Sequence, residues 1–415
     1  MRFLYNVFIW VYKAGILIAA LFNSKARFWV AGRKGQFDRM KAARIDDRPV
    51  VWFHCASLGE FEQGRPVLEA FRKEFPNYGV LLTFFSPSGY NIRKNYNGAD
   101  YVFYLPLDTP AGVRQFLNIW NPSLAIFVKY EFWFNYLRAL KKRGVPTFVI
   151  SAIFRPDQYF FKGFGKWFRR QLGMVSCYFV QNHLSQELLQ RAGISRAVVS
   201  GDTRFDRVAA IAAQAQSLDR FSAFAQNQRV LVAGSTWPPD EELLLPLIHD
   251  KSLPLKFIIV PHEISKAHIQ GLKSKITVKT QIYSELSGSF DADSKVLIID
   301  QVGLLSGLYK LGCMAYIGGG FGRGIHNILE AAAFGLPVFF GPNYGQFAEA
   351  NELVQLGGAF SVSNAAELKP KIEILTRNQG MLQETALICS DYVRAKTGAT
   401  ETIMRELKTY VRRDK

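Results

Sequence analysis

The feature that most constrains the fold is an alternation of short apolar runs with helical stretches, which stops near the middle of the chain and then begins again. Parallel strands need a crossover connection, usually a helix, so this alternation predicts a parallel, doubly wound sheet in each half. The 415 residues are enough for two such domains. We therefore expect an α/β protein of two Rossmann-like domains that face a cleft, with ligands beyond the carboxyl ends of the strands.

Each half contributes several apolar runs of strand length. In the first half they are Pro49–His54, Val80–Phe84, Tyr101–Leu105, Leu124–Val128, Thr147–Ile150 and Cys177–Val180. In the second half they are Val230–Ala233, Lys256–Val260, Val296–Ile299, Met314–Ile317 and Pro337–Phe340. The expected boundaries are 1–48 for an N-terminal helix and basic segment, 49–206 and 229–377 for the two domains, 207–228 for a polar linker, and 378–415 for one long C-terminal helix.

The charge of the chain indicates an anionic partner. The formal net charge is +17, and the first 48 residues hold ten Lys or Arg but only three acids. Such a balance favours nucleic acid, phosphorylated small molecules or an anionic membrane. Because no RNA- or DNA-binding signature is recognisable, we expect no nucleic acid and favour the membrane surface.

The N-terminal segment from Phe3 to Phe22 is apolar and about as long as a membrane-spanning helix, but Lys13 interrupts it. The Lys and Arg residues that follow it would place the rest of the chain in the cytoplasm by the positive-inside rule. A helix that spans the bilayer and a helix that lies in its interface or on the protein both remain open. A second segment, Phe154 to Phe168, mixes aromatic and cationic residues and predicts either membrane contact or a helix with aromatics in the core.

Neither the cysteines nor the acidic residues predict a metal site or a cofactor. Four scattered cysteines form no CxxC pair, and three of them lie in apolar runs, as buried reduced thiols do. Asp291-Ala292-Asp293 has the DxD spacing of metal-dependent transferases, but it lies in a polar Ser/Gly-rich loop, so we expect it to be solvated.

A Gly-rich turn in the second half predicts a phosphate-binding site. Five glycines fall between Gly318 and Gly324, directly after the predicted strand that ends at Ile317, and a helix is expected from about His326 to Phe334. Glycines allow a close approach to a phosphate, and a helix start presents free N–H groups. Asn327 and Glu330 can share one face, where the carboxylate could bind ribose hydroxyls; their spacing also fits a helix capping box.

A series of short motifs resembles the transferases of 3-deoxy-D-manno-octulosonic acid (Kdo) in lipopolysaccharide biosynthesis, and the similarity extends over nearly the whole chain. These motifs are His54-x-x-Ser57-x-Gly59-Glu60, Glu131-Phe132-Trp133-Phe134-Asn135, Gly201-Asp202-Thr203-Arg204-Phe205-Asp206, Gly234-Ser235-Thr236 with Glu241-Glu242, Pro261-His262-Glu263, Val302-Gly303-Leu304 and Gly324-Ile325-His326-Asn327-Ile328-Leu329-Glu330. The chain departs from the family pattern at several positions. Arg204 replaces a usual Lys, Phe134 a Pro, His262 an Arg and Leu304 an acid.

The resemblance implies a GT-B fold and an inverting transfer of Kdo from CMP-Kdo to a lipid A precursor, at the cytoplasmic face of the inner membrane. It implies Glu60 as the general base, with Glu131 and Arg204 supporting the transition state. A helix-start glutamate is the structural alternative for Glu60, and a capping or buried ion-pair role is the alternative for Glu131. The implied donor-binding residues lie in the second half: Ser235, Thr236, Pro261, His262, Val302, Gly303, Leu304, Gly324, His326, Asn327, Ile328, Leu329 and Glu330.

Two rival functions fit parts of the pattern. Another GT-B enzyme, such as a UDP-GlcNAc transferase or 2-epimerase, would share the fold and the Gly-rich segment, because fold does not determine function. A membrane-bound protein that binds a nucleotide sugar without catalysis would not need Glu60.

Overall fold

Two parallel seven-stranded sheets organise the chain, as the alternation of strands and helices predicts. The computed structural model describes residues 1–215, 219–225, 228–286, 288 and 290–411. The chain divides into two compact units. The N-terminal unit comprises Met1–Arg207 and Thr397–Lys415, and the C-terminal unit comprises Val208–Lys396.

The N-terminal unit contains the first sheet, in the strand order β3-β2-β1-β4-β5-β6-β7. Its strands are β1 (Val50–Cys55), β2 (Gly79–Phe84), β3 (Tyr101–Tyr104), β4 (Leu124–Val128), β5 (Thr147–Ala152), β6 (Cys177–Val180) and β7 (Ala197–Val199). Its helices are α1 (Arg2–Ala19), α2 (Ser24–Arg33), α3 (Gln36–Ala43), α4 (Leu58–Glu74), α5 (Pro87–Arg93), α6 (Pro110–Trp120), α7 (Phe134–Lys142), α8 (Lys166–Leu172), α9 (His183–Arg191) and α10 (Thr203–Gln214), the last of which continues into the C-terminal unit. Short 3-10 turns lie at Tyr159–Phe161 and Gly163–Gly165.

The C-terminal unit contains the second sheet, in the order β10-β11-β9-β8-β12-β13-β14. Its strands are β8 (Arg229–Thr236), β9 (Leu255–Pro261), β10 (Thr280–Ile282), β11 (Val296–Ile298), β12 (Met314–Ile317), β13 (Val338–Phe340) and β14 (Ala359–Ser361). Its helices are α11 (Asp219–Ala225), α12 (Pro238–His249), α13 (Lys266–Lys275), α14 (Leu305–Leu308), α15 (Leu329–Ala333), α16 (Ala348–Leu356), α17 (Ala365–Arg377) and α18 (Gln379–Ala395). The last helix, α19 (Ala399–Val411), belongs to the N-terminal unit.

The central strands are buried on both faces because helices cover both sides of each sheet. Every residue of β1, β2 and β4 is buried. Alternate residues of β1 enter different cores: Trp52 packs with Phe116, Phe127 and Tyr136, whereas Phe53 packs on Phe71. This two-sided burial explains the continuous apolar runs of the sequence, which are typical of parallel sheets.

Two predicted helices differ from the observed ones. The single helix expected over 378–415 is interrupted after α18, and α19 begins at Ala399. The carboxylate of Asp206 accepts hydrogen bonds at 2.6 Å from the backbone N–H groups of Gly398 and Thr400, which satisfies the start of α19. The helix expected from His326 is shorter and starts at Leu329.

The second basic–aromatic segment contributes mainly to the core. Phe154 and Phe160 are buried, and Trp167 and Phe168 pack against the same cluster, whereas Tyr159 keeps 41% exposure. The interpretation of aromatics in the core therefore holds for most of this segment. The cysteines lie as expected: Cys55, Cys177 and Cys389 are buried and all four thiols are free.

Candidate active site

Several predicted site residues lie at the topological switch points of the two sheets, whereas Arg204 follows β7, Pro261 ends β9 and Val302 follows β11. In the first sheet, β1 connects towards β2 and β4 connects towards β5, so a crevice opens between β1 and β4 at their carboxyl ends. The loop after β1 leads to Glu60, and the loop after β4 carries Glu131. In the second sheet the corresponding strands are β8 and β12, followed by Ser235 to Trp237 and by the Gly-rich turn.

Strained backbone lies near the carboxyl ends of three strands, β4, β5 and β8. Lys129 after β4, Ser151 in β5 and Ser235 in β8 have positive φ angles of 64°, 51° and 54°. Side chains rarely adopt this conformation, and it persists where the surrounding structure enforces it, often at functional sites. At Ser235 the strain coincides with an irregularity in the pairing of β8 with β9.

Glu60 lies in the first turn of α4 and makes the bonds of a capping box. Its Oε2 accepts hydrogen bonds from the backbone N–H of Ser57 at 2.7 Å and from the Ser57 hydroxyl at 2.6 Å. Among the residues that the structure describes, none donates a hydrogen bond to Oε1 of Glu60. The capping interaction therefore orients this carboxylate and still leaves one oxygen available for a proton.

Glu131 lies near Glu60, on the other side of the switch point. β1 pairs with β4, so the loops that lead to Glu60 and carry Glu131 leave the sheet at adjacent strand ends. Burial, and after it the charges of these two carboxylates, raise the pKa of the Cys55 thiol at the end of β1 well above its ordinary value. The side chain of Glu131 is 17% exposed, and its Oε2 lies 3.7 Å from Nε2 of His54. The two acids thus share one crevice of the N-terminal unit.

His54 is a structural residue beneath this crevice. The Nε1–H of Trp133 donates a hydrogen bond to Nε2 of His54 at 3.1 Å, so that nitrogen carries no proton. Nδ1 then donates towards the carbonyl oxygen or the hydroxyl of Thr83, at 3.1 and 2.9 Å. The imidazole is fully buried and positions the loop that carries Glu131.

Arg204 at the start of α10 is held by a buried carboxylate. Its Nε donates to Oδ2 of Asp202 at 2.8 Å, and its backbone N–H donates to Oδ1 at 2.9 Å. Gln63 of α4 also donates to Asp202, at 3.2 Å. The guanidinium keeps 32% exposure, so this pair fixes a cation on the element that packs beside α4.

Arg33 is a second cation at this end of the sheet, and the sequence motifs did not predict it as a site residue. Its guanidinium lies 3.8 Å from the ring of Trp29 and donates to the carbonyl oxygens of Phe85, Leu105 and Trp29. Burial lowers its pKa to about 9. Burial raises the pKa of Tyr12 in α1. Of the smaller effects, the charge of Arg33 lowers this pKa and the charge of Glu131 raises it.

In the C-terminal unit, Asp240 holds the Gly-rich turn in place. Its Oδ2 accepts hydrogen bonds at 2.9 Å from the backbone N–H groups of Gly319 and Trp237, and its Oδ1 accepts one from the Tyr316 hydroxyl. The turn also packs closely on β8, since a Cβ atom on Gly318 would lie 2.2 Å from the carbonyl oxygen of Ser235. Only glycine fits at Gly318, as expected for a backbone that approaches a neighbour or a ligand.

Three aromatic rings stack beside this turn. The ring centroids of Trp237 and His262 lie 4.6 Å apart, and those of His262 and His326 lie 4.5 Å apart. The Nε1–H of Trp237 also donates to Nε2 of His326 at 3.0 Å. Burial, followed by the charge of His262, lowers the pKa of His326, while Asp240 opposes them. The stack therefore presents aromatic surface in which the charged form of His326 is disfavoured.

The remaining donor-side residues divide into exposed and buried ones. Pro261 ends β9, and the hydroxyl of buried Thr236 donates to Glu241 at 3.0 Å, so it is already engaged. Ile328 and Leu329 are core residues. Val302, Gly303 and Leu304 form a turn before α14 in which Val302 is 84% exposed. Gly324 has a φ of 141°, which requires glycine.

Asn327 and Glu330 contact each other but do not form the capping box that was the structural alternative to ribose binding. Nδ2 of Asn327 donates to Oε1 of Glu330 at 3.0 Å, and Oδ1 of Asn327 accepts from the backbone N–H of Leu329. Because the helix begins at Leu329, residues Ile325 to Asn327 are not its N-terminus. The predicted contribution of a helix start at these residues is therefore wrong, and the turn itself presents the backbone.

The two aspartates of the DxD sequence form ion pairs with Lys279. Nζ of Lys279 lies 2.6 Å from Asp291 and 3.8 Å from Asp293. Both carboxylates thus face a cation at the surface of the C-terminal unit.

Three comparisons with known proteins agree with the motif series. Residues 29–207 match the family model described as 3-deoxy-D-manno-octulosonic-acid transferase (kdotransferase). The 3-deoxy-D-manno-octulosonic acid transferase of Rickettsia conorii is 29% identical over 357 residues, which are 82% of this chain and 74% of that protein. The transferase of the same description from Aquifex aeolicus is 29% identical over 329 residues, or 78% and 84% of the two chains.

The fold itself has solved counterparts. The crystal structure of UDP-GlcNAc 2-epimerase from Neisseria meningitidis bound to UDP-GlcNAc superposes with a TM-score of 0.63 at 15% identity, over 87% of this chain and 100% of that one. This likeness confirms the expected pair of Rossmann-like domains of the GT-B class. The matches in sequence, and not this structure, confirm the resemblance that the motifs indicated: the chain is related to the Kdo transferase family.

Proposed function

We propose that this protein transfers Kdo from CMP-Kdo to a lipid A precursor such as lipid IVA, with inversion at the anomeric carbon. The observation that carries the proposal is the pair of carboxylates, Glu60 and Glu131, at the switch point of a Kdo-transferase-like domain. In this assignment residues 49–206 bind the acceptor and residues 229–377 bind the donor, with 207–228 as the linker.

Glu60 is proposed as the general base. The acceptor alcohol is a weak nucleophile until its proton is removed, and a positioned carboxylate can take it. Two hydrogen bonds from Ser57 hold Oε2 of Glu60, which supports Oε1 as the atom that receives the proton. Glu131 would orient the acceptor, and Arg204 would offset the negative charge that develops as CMP leaves.

The donor is assigned to the switch point of the C-terminal unit. Ser235, the Gly-rich turn up to Gly324 and the ring stack of His262 and His326 offer backbone N–H groups and aromatic surface, which suit a phosphate and a pyrimidine base. Glu330 remains the candidate for the ribose hydroxyls. Pro261, Thr236, Ile328 and Leu329 would act by shaping the site, because they are buried.

We also propose that α1 lies on the cytoplasmic face of the inner membrane and does not span it. The helix is long and apolar enough to cross a membrane. However, Tyr5 and Asn6 are hydrogen-bonded to Asp108 and Asn135, and Ile9 is 2% exposed, so one face is docked on the N-terminal unit. The opposite face exposes large apolar side chains, those of Phe3, Val7 and Val11. Such a helix inserts shallowly, with help from nearby Lys and Arg residues.

An assay that offers two different donors distinguishes this function from that of a UDP-GlcNAc transferase or 2-epimerase. The purified chain would be incubated with lipid IVA and either CMP-Kdo generated in situ or UDP-GlcNAc. We expect a Kdo-lipid product from CMP-Kdo, and neither transfer nor epimerisation with UDP-GlcNAc. Turnover of UDP-GlcNAc alone would instead favour a UDP-GlcNAc enzyme, and binding of CMP-Kdo without product would favour the non-catalytic binder.

A further inference from the structure

A cavity of about 530 Å³ lies beneath α1 in the N-terminal unit and adjoins Glu131. The outer part of its lining comes from α1, and the rest comes from the loop after β4 and from the segment that ends in α8. Its principal lining side chains are Leu4, Phe8, Glu131, Tyr159, Trp167 and Phe168. Its size is that of a small-molecule site, for which about 300–1,000 Å³ is typical.

The walls of this cavity are built by specific contacts. The Tyr5 hydroxyl donates to the buried carboxylate of Asp108 at 2.5 Å, which fastens α1. The ring of Phe134 lies 5.0 Å from that of Tyr5 and 5.0 Å from that of Trp167, so it joins α1 to α8. The cavity is therefore a feature of the packed unit and not a gap under a loosely placed helix.

The chemistry of the lining favours hydrocarbon. Glu131 is its single ionisable carboxylate, and the other lining side chains are apolar or aromatic. A carboxylate repels a phosphate, which excludes an anionic headgroup from the cavity itself. Leu4 and Phe8 are 60% and 61% exposed, so the apolar lining continues onto the exposed face of α1. Lys162, Lys166 and Arg170 are exposed next to Trp167 and could attract an anionic headgroup outside the cavity.

We propose that this cavity binds one acyl chain of the lipid acceptor and so brings the acceptor sugar to the crevice of Glu131 and Glu60. This inference rests on the proposed function for the identity of the acceptor. Each methylene that leaves water contributes to affinity, so a chain of membrane length supplies substantial binding energy to a substrate that is mostly hydrocarbon. Binding of the chain would then select acylated acceptors over soluble sugars.

Photolabelling tests the site without requiring turnover. The full chain would be irradiated with dodecyl maltoside that carries a diazirine near the end of its alkyl chain, and labelled residues mapped by mass spectrometry. We expect label on Tyr159, Trp167 or Phe168, and we expect lipid IVA to suppress it while the fully deacylated sugar does not. Label confined to the outward residues Phe3, Val7 and Val11, or label that lipid IVA fails to suppress, would overturn the proposal.

A pair of matched variants tests the consequence for catalysis. Leu4→Trp places a bulky ring at the cavity, whereas Val11→Trp changes an equally exposed position outside it; the two residues are 60% and 63% exposed. For Leu4→Trp we expect kcat/KM on lipid IVA, relative to the deacylated acceptor, to fall about tenfold, as loss of about two buried methylenes would produce. Val11→Trp should keep the wild-type ratio. An unchanged ratio in Leu4→Trp contradicts the proposal. Absence of transfer in the wild type contradicts the proposed function instead, and the photolabelling result then decides whether the cavity binds an alkyl chain.

Discussion

The carboxylate of Asp240 accepts a hydrogen bond at 2.9 Å from the backbone N–H of Gly319, and it thereby ties the Gly-rich turn to the first turn of α12. The same oxygen accepts from the backbone N–H of Trp237, whose indole bonds His326. One buried acid thus positions both the turn and the ring stack, which are the two features assigned to the donor.

Replacement of Asp240 by Asn should destabilise the C-terminal unit. The amide can no longer accept on both sides, so at least one buried N–H or hydroxyl donor loses its partner, and we expect a loss of about 2–4 kcal/mol in the free energy of unfolding. Affinity for CMP should fall as well. Urea unfolding and calorimetric titration with CMP would measure the two effects. Asp293→Asn is the control because Asp293 is 87% exposed, and equal midpoints for the two variants would contradict this role.

The stability of the C-terminal unit should decline as the pH falls below about 6.5, in part because of His326. Burial and His262 lower the pKa of His326 below its ordinary value of 6.5, so the unfolded chain takes up a proton that the folded chain resists. The stabilisation is therefore complete above the unfolded pKa and decreases as pH falls towards the folded pKa.

Urea midpoints between about pH 7.5 and 5.5 would test this linkage. In His326→Asn the titrating group is absent, so the stability difference between wild type and variant should narrow with falling pH. A constant difference between wild type and His326→Asn would mean that the pKa of this residue is not lowered.

Tyr5→Phe should loosen the docking of α1 in a pH-dependent way. Burial raises the pKa of Asp108 from 3.8 to about 6, and the Tyr5 hydroxyl opposes this effect. A raised folded pKa means that the contribution of Asp108 to stability is fully present below the unfolded pKa and is lost as pH rises through the folded value. Without the Tyr5 hydroxyl, the pKa of Asp108 should rise further. The loss of stability in Tyr5→Phe, relative to the wild type, should therefore be largest above pH 6.

Thermal unfolding at about pH 7.5 and pH 4.5 would measure this deficit, which we expect to be about 2 kcal/mol at the higher pH. Tyr12→Phe is the matched control on the same helix, because the Tyr12 ring stacks on Phe85 and the phenylalanine keeps that contact. A Tyr5→Phe deficit of equal size at both values of pH would argue against a charged Asp108 as the anchor.

The sequence predicts the central strands of each sheet and the edge strand β3, but it misses the other three edge strands. β4, β6 and β12 have the predicted bounds, but β7, β10 and β14 were missed. These three strands lie at sheet edges, are three residues long and are only partly buried. No continuous apolar run in the sequence therefore predicts them.

The site was predictable where a motif carries the chemistry and not where a contact joins distant segments. The capping geometry of Glu60 follows from the spacing of Ser57 and Glu60. Asp240 has the same spacing after Trp237, yet its bond to Gly319 spans 79 positions and leaves no local signal. Likewise, α15 begins only at Leu329 although Ile325 and Ile328 are buried at helical spacing, so periodicity alone does not reveal where the helix begins.

The most direct test of the account is the rate of Kdo transfer by Glu60→Gln. Glutamine keeps an oxygen that can accept the bonds from Ser57 but cannot act as a base, so the variant should melt like the wild type and lose about 10²–10⁴-fold in kcat. Glu74→Gln, at the other end of α4, should retain wild-type activity. A wild-type protein that forms Kdo-lipid IVA from CMP-Kdo, together with a folded but nearly inactive Glu60→Gln, is the predicted result; equal rates in the two proteins would contradict it.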